Sequence, residues 1–341
     1  MARRPTIADL ATARGFSVAT VDRVLNRRLP VRTDTARRVA DAAEAIGFHA
    51  AELLRRRVVE APNRAFGFVL QKRSDAFYRA LGAALTEAAR GVADLNGRAA
   101  VSYVDELSPA ALAERIVEVG RKSDALAIVA VDHPDVVEAV ETLARRGTPV
   151  FTVLSDVGAP SRAGYAGLDN RKTGRTAAWA IARCAPGPGT VGVLVGTHRY
   201  LGQDIAEAGF RDYCRERAPG LRPLDAFVDL EDDRIARRAI LDLLAREPDL
   251  VGIYLAGGGV TGMIEALREA PPKRRPAVVC NELHDATRAA LADGIVDVVL
   301  STPLDALAHR LVAAMADAAG APNWTFERIL LPAAISTSEN I

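Results

Sequence analysis

Residues Thr6 to Asn26, TIADLATARGFSVATVDRVLN, hold two short helical patterns separated by a glycine, and this pair limits what the N-terminal segment can fold into. Thr6 is a candidate N-cap with Asp9 three residues on, and Ile7, Leu10 and Ala11 recur on one helical face. Gly15 can adopt the left-handed conformation that ends such a helix. Phe16 can plug the corner, and Ser17 is placed to cap a second helix containing Val18 to Leu25. There Val21, Val24 and Leu25 fall on one stripe, which leaves Val18, Ala19, Asp22, Arg23 and Asn26 for solvent or a partner. A third helix follows, with Thr33 as its cap, Ala36, Val39, Ala40, Ala43 and Ile46 as its apolar face, and Gly47 as its end. Three such helices close a minimal core around a helix-turn-helix, with the second helix as candidate recognition helix.

Helix-turn-helix geometry also occurs in proteins that never touch nucleic acid, so charge has to discriminate. Residues 1–60 hold twelve arginines and no lysine against four aspartates and three glutamates, a net of +5. The whole chain is +1, so the remainder is −4. Positive charge is concentrated where DNA would lie.

At 341 residues the chain leaves about 280 for one large or two medium domains beyond this head. Its 49% apolar content is ample for a core. Cys184, Cys214 and Cys280 are far apart and form no Cys-x-x-Cys pair, which argues against a disulfide framework or a zinc site and for a reducing compartment. No segment approaches the ~18 apolar residues of a membrane span, and no apolar stretch follows the N-terminal arginines. The expectation is a cytoplasmic protein with no membrane partner.

After residue 63, short apolar runs alternate with helical patterns: AFGFVLQ, AAVSYV, ALAIVAV, PVFTVLS, TVGVLVG, LDAFVDL, LVGIYLA, PAVVCNE and VDVVLST. This alternation predicts parallel sheets with helical crossovers, and too many strands for one small sheet. Two α/β lobes holding a ligand between the carboxyl ends of their strands are the natural packing.

TIADLA, SVATVDRVLN and VRTDTARRVADAAEAIGF together resemble the lactose/galactose repressor family, without a gap from Thr6 to Phe48. The resemblance implies that Val18, Ala19 and Arg23 meet base edges and that Thr6, Ser17, Thr20 and Asn26 occupy phosphate-contacting or capping positions. Arg23 is then the residue able to read guanine bidentately, while Val18 and Ala19 offer apolar contacts only. Asp22 departs from the hydroxyl common in relatives, and either accepts from cytosine or orients a nearby arginine. The hinge AAELLRRRVVE departs further. Relatives wedge a leucine into the minor groove here, and gapless counting puts Arg57 at that position, with Leu53 and Leu54 nearby. Arg55, Arg56 and Arg57 read either as phosphate or minor-groove contacts or as a solvated linker face.

From about Arg64 onward the chain is similar to periplasmic sugar-binding proteins, which the repressor family uses as its effector domain. The match implies a two-lobed, periplasmic-binding-protein-like domain at 61–341 behind a head and hinge at 1–60. Lobe 1 would be about 64–168 plus 301–320, and lobe 2 about 169–300 plus 321–341. It places Phe77 and Tyr78 against a sugar face, and Ser155, Asp156, His198, Gly257 and Ser301 around the cleft. Asp204 falls where relatives carry an arginine, and Glu282 where they carry a hydroxyl-binding aspartate. An all-carboxylate pocket of this kind suits hydroxyl donors, so a neutral sugar or polyol is expected as effector. His198 lacks a second His or Cys at ligand spacing, so no metal and no cofactor are expected. The resemblance implies a sequence-specific transcriptional regulator, a repressor, acting as a dimer or tetramer on a pseudo-palindromic operator. The rival is an NAD(P)-dependent oxidoreductase. GGGVTG, Gly257 to Gly262, satisfies G-x-G-x-x-G after a strand and before a helix, with Glu282 ending the next strand. Against it, the motif lies deep in the chain instead of on the first strand of its domain.

Overall fold

The computed structural model describes residues 5–26, 31, 33–59, 61–92, 95–105, 108–321 and 323–341. The head is built from α1 (Ile7–Ala13), α2 (Val18–Asn26), α3 (Thr33–Ala45) and α4 (Ala51–Val59). Thr6 and Asp9 form a reciprocal capping box, with Asp9 N–H donating to Thr6 Oγ1 at 3.3 Å and Thr6 N–H to Asp9 Oδ2 at 2.8 Å. Gly15 turns the chain with φ of +68°, and Ser17 Oγ accepts from Thr20 N–H at 3.1 Å to start α2. Helix α3 begins at Thr33 itself, so the expected cap is the first helical residue. Leu10, Val21, Val39, Ala43, Phe48 and Leu54 are buried together and join all four helices in one small core.

Lobe 1 runs β1 (Asn63–Gln71), α5 (Ala76–Arg90), β2 (Asn96–Val104), α6 (Pro109–Gly120), β3 (Ala125–Ile128), α7 (Pro134–Arg145), β4 (Val150–Val153) and β5 (Gly164–Leu168). Lobe 2 runs α8 (Asn170–Cys184), β6 (Gly189–Val195), α9 (Leu201–Arg217), β7 (Leu221–Pro223), β8 (Phe227–Val228), α10 (Asp233–Arg246), β9 (Leu250–Leu255), α11 (Val260–Glu269), β10 (Ala277–Asn281), α12 (Asp285–Ala292) and β11 (Val298–Ser301). The chain then returns to lobe 1 for α13 (Leu304–Gly320) and β12 (Glu327–Leu331), and ends in lobe 2 with β13 (Ala334–Ser336). The first sheet has the order β12-β5-β4-β3-β1-β2, and its described pairings are parallel. The second has the order β13-β11-β10-β9-β6-β7, with β8 also on β6 and β13 antiparallel. The central strands are buried on both faces, as parallel strands covered by crossover helices must be.

Each predicted apolar run contains a strand, but the lobe boundaries need correction. Residues 321–341 do not all belong to lobe 2, because β12 pairs with β5 from Glu327↔Gly164 to Leu331↔Leu168. Only the segment ending in β13 crosses back. Ser301 closes β11 in lobe 2, so the second crossing falls just after it.

Candidate functional site

On α2 the expected face is outward. Val18 is 54% exposed, and Ala19 and Arg23 are also exposed, while Val21 is buried and Val24 and Leu25 are half-buried. The hydroxyls of Ser17 and Thr20 bond each other at 2.8 Å, and Thr6 donates to Asp9, so these polar groups organise the helix starts. Asp22 accepts from Asn26 Nδ2 at 2.5 Å, which ties both residues together one turn apart. The carboxylate is thereby held on its own helix.

The hinge segment is helical as α4 and is anchored by Leu54, which is 1% exposed, while Leu53 is half exposed. Arg55 reaches back to Glu44 on α3 at 2.7 Å. The side chains of Arg56 and Arg57 lie outside the described residues, as does the expected wedge position with them.

Between the lobes lies a cavity of about 340 Å³. The N-terminal turn of α5 supplies Phe77 and Tyr78, with rings 5.4 Å apart edge to face, and Asp75 caps that helix through Phe77 N–H at 2.8 Å. From lobe 1 also come Ser155 and Leu154, and at the first crossing Asn170. Lobe 2 supplies Tyr200, Gln203, Glu231, Asp233, Gly257, Asn281, Glu282 and His284, and Thr302 sits at the second crossing. The lobes touch across this cavity. Lys72 Nζ donates to the carbonyls of Leu230 and Glu231 at 2.9 and 2.8 Å, Gly202 N–H to Ser155 Oγ at 3.2 Å, and Asp132 N–H to the Arg199 carbonyl at 2.8 Å.

Glu282 has a left-handed backbone, φ +65°, and both its carboxylate oxygens are held by Thr302, by N–H at 3.0 Å and by Oγ1 at 2.8 Å. Burial still outweighs these bonds and pushes its carboxyl up to about 7. Glu231 Oε1 accepts from Gln203 Nε2 at 2.8 Å, and the Gln203 carbonyl oxygen accepts from Gly196 N–H at 2.7 Å. Burial raises the Glu231 carboxyl as well, against the pull of Lys72. Beneath it Asp229 is fully buried and raised by burial to about 8, with Oδ1 taken by Glu231 N–H and Oδ2 without a hydrogen-bond partner among the described residues.

Five of the nine expected ligand residues line the cavity: Phe77, Tyr78, Ser155, Gly257 and Glu282. Four do not. Asp156 is consumed by Arg162, Thr152 and the Val157 N–H, and fixes the loop after β4. Ser301 is not among the lining residues, and its buried hydroxyl has no hydrogen-bond partner among the described residues. Asp204 is exposed on α9. There it faces His198 Nδ1 at 3.2 Å, with Glu207 Oε2 3.6 Å from the same nitrogen and Arg211 holding the other Glu207 oxygen. The inward stripe of α9 is Gly202, Gln203, Ala206 and Phe210, so the cleft position is Gln203, one residue before Asp204 and two turns before the buried Phe210. The expected Asp204–Glu282 pair is replaced by Asp75, Glu231, Asp233 and Glu282. Asp75 and Glu231 left no sequence signal beyond an ordinary N-cap and an acidic loop, LEDD.

The GGGVTG loop does not make a pyrophosphate cradle. A Cβ at Gly258 would lie 2.7 Å from Glu231 Cβ, and one at Gly259, φ +80°, 3.1 Å from Asp229 Oδ2. At Gly262 a Cβ would lie 1.8 Å from the Asp233 carbonyl, so this glycine serves the packing of α11 on α10. The helix start is ringed by the acidic side chains Asp229, Glu231 and Asp233, and no lysine or arginine is among the described lining residues to neutralise a diphosphate.

A helix-turn-helix head joined to a two-lobed domain with a ligand-sized cavity defines a DNA-binding regulator governed by a small molecule. The sequence families agree. The family described as bacterial regulatory proteins, lacI family, matches residues 6–50, and the periplasmic binding protein domain family matches 66–322. The chain belongs to the lacI family of regulators and carries a periplasmic-binding-protein effector domain. No curated protein sequence matches it. Among solved structures it is similar to an ABC transporter solute-binding protein from Agrobacterium vitis with bound D-fucose, at TM-score 0.73 and 16% identity over 81% of this chain and 96% of that one. It is also similar to one from Agrobacterium radiobacter in complex with D-arabinose, at TM-score 0.72 and 17% identity over 82% and 95%. A third is the sugar-binding protein of a Bacillus halodurans sugar ABC transporter, at TM-score 0.69 and 17% identity over 81% and 98%. At these identities the likeness shows the fold. No helix among the described residues is long and apolar enough to cross a membrane.

Proposed function

We propose that the protein is a transcriptional repressor that binds a pseudo-palindromic operator as a dimer and whose operator affinity is set by a polyhydroxylated effector in the interlobe cavity. The observation that carries this reading is the pairing of an outward Val18–Ala19–Arg23 face with a polar and aromatic cavity that both lobes build. Arg23 supplies the bidentate donor for guanine, and the two apolar residues fit thymine methyl groups. Two-fold symmetry would place two α2 helices in successive major grooves, about one helical turn apart. In the cavity Phe77 and Tyr78 offer apolar ring surface, and Glu282, Glu231 and Asn281 offer acceptors, the combination that hydroxyl-rich ligands require. The bound D-fucose and D-arabinose of the similar proteins support this class.

Coupling needs two states of the cavity with different effector affinity. The interlobe bonds from Lys72, Gly202 and Asp132 are the contacts that distinguish closed from open lobes. Closing would move the three strand crossings near Leu168, Thr302 and Pro332, and with them the base of each head in a dimer. Fluorescence anisotropy of an operator selected from random DNA, titrated with the protein in the presence of a sugar and polyol panel, tests the reading. A saturable, ligand-dependent shift in operator affinity is expected. Binding that ignores both DNA sequence and every compound of the panel overturns it.

A further inference from the structure

The cavity gathers more carboxyl groups than hydroxyl groups can answer, and burial holds several of them toward the protonated form. Asp75 enters from lobe 1, and Glu231, Asp233 and Glu282 from lobe 2, and no lysine or arginine is among the described lining residues. Asp229 adds a fifth carboxylate just behind Glu231. Lys72 stands at the rim with its ammonium on two main-chain carbonyls, and His284 is kept toward its neutral form by burial. Asp75 bears on Glu231 and Glu282 alike and opposes ionisation of both.

A neutral polyol would satisfy lone pairs and leave the cost of ionising these carboxyls in place. An arginine in the wall would relieve it, but the α9 position facing the cleft is Gln203, whose amide already spans Glu231 and the Gly196 N–H. Beyond Lys72, the positive charge that would let these carboxyls ionise must then come with the ligand. An independent feature points to a polar ligand at the same place. Tyr200 lines the cavity, is 2% exposed, and its hydroxyl has no partner among the described residues. The rings of Phe77 and Tyr78 line the same cavity, where aromatic rings can add attraction for a cation.

Resting on the polyhydroxylated-effector reading above, we propose that the effector bears a protonated amine, an amino sugar or aminopolyol whose ammonium is held among Asp75, Glu231 and Glu282 while its hydroxyls meet Tyr200 and Asn281.

Calorimetry on the full chain tests this with D-glucosamine, D-galactosamine and 1-amino-1-deoxy-D-sorbitol against their neutral parents and N-acetylated counterparts. One amine should bind at least tenfold more tightly than its parent, and N-acetylation should remove the gain. Glu231→Gln, which keeps the shape and the Gln203 contact, should shrink the amine-to-parent ratio by about tenfold. Added salt should weaken the amine and spare the parent, a readout that does not depend on a variant folding. A parent sugar that binds as tightly as its amine overturns the amine assignment and leaves the polyol reading standing. Failure of amines, parents and N-acetyl compounds alike to bind overturns both.

Discussion

In the head, basic groups are exposed and arranged along single helices, whereas in the cleft acidic groups, mostly half-buried, are collected from segments far apart in the chain. Arg23 needs only α2 to point outward. Asp75, Glu231 and Glu282 become neighbours only because two sheets place their strand ends face to face. Exposed groups in the head interact with a partner through solvent and salt, so their contributions are modest and separable. Buried groups in the cleft are coupled to one another and to Thr302, Gln203 and Lys72, so removing one leaves others unsatisfied.

The largest difference should appear on truncating Glu282. Glu282→Ala leaves a buried Thr302 N–H and hydroxyl without their acceptor and removes a ligand acceptor, a loss of roughly 1.5 to 3 kcal/mol for a charged hydrogen bond. Effector affinity measured by calorimetry should weaken more than tenfold, with operator binding of the unliganded protein retained. Asp204→Ala, on the exposed side of α9, should stay within about 0.5 kcal/mol of wild type. Equal effects from the two would return Asp204 to the cavity and break the contrast drawn on α9.

In the head, Arg23→Ala should lose about 1 to 3 kcal/mol at one symmetric base pair of the operator and leave non-specific binding nearly intact. Competition binding on operators substituted one position at a time reads this directly. Uniform weakening on every sequence would mean that Arg23 meets phosphate only.

The contrast between these two sites also explains how much the sequence disclosed. Capping boxes, glycine turns and 3.6-residue stripes act over three or four residues, so the head was legible down to the Thr6–Asp9 box and the Ser17 cap. The alternation of apolar runs likewise exposed two α/β lobes. Strands β5, β7, β12 and β13 escaped because GYAGL carries two glycines, LRP is three residues long with a proline, and the last two are short terminal additions to sheets formed by the earlier chain. Cavity residues were legible where they end a strand or open a helix beside it, as Glu282, Tyr78 and Ser155 do. On α9 a count in residues, without the inward stripe, missed by one position, and one position on a helix turns a side chain by about 100°. Glu231 lies in a loop whose place is set by the pairing of β8 with β6, Val195↔Val228, and no local pattern marks it.

A smaller effect separates the regions by pH. Asp229 is raised from 3.8 to about 8 and Glu282 from 4.5 to about 7. Both are carboxyls whose folded form holds a proton that the unfolded chain releases, so stability is greatest below the unfolded values and falls as pH rises toward the folded ones. Thermal unfolding followed between about pH 5 and pH 8 should show the effector domain losing roughly 1 to 3 kcal/mol, the head much less. Asp229→Asn keeps an acceptor for the Glu231 N–H and should flatten the slope. An unchanged slope in that variant would show that Asp229 does not titrate in this window.

The smallest expected effect concerns Arg55, where the head most resembles the cleft, because this arginine already has a carboxylate partner in Glu44. The pair is about 60% exposed on each side, at 62% and 56%, so its own stabilisation is slight and phosphate can displace Glu44 at little cost. If DNA takes Arg55 from Glu44, Arg55→Ala should flatten the plot of log binding constant against log salt by up to about 0.9, the value of one phosphate contact. Glu44→Gln, which frees Arg55 without removing it, should strengthen binding to all sequences slightly and leave that slope unchanged. A slope that Arg55→Ala leaves untouched would make the Arg55–Glu44 pair a strut between α3 and α4, and the difference between an open, exchangeable head and a closed, coupled cleft would then stop at the hinge.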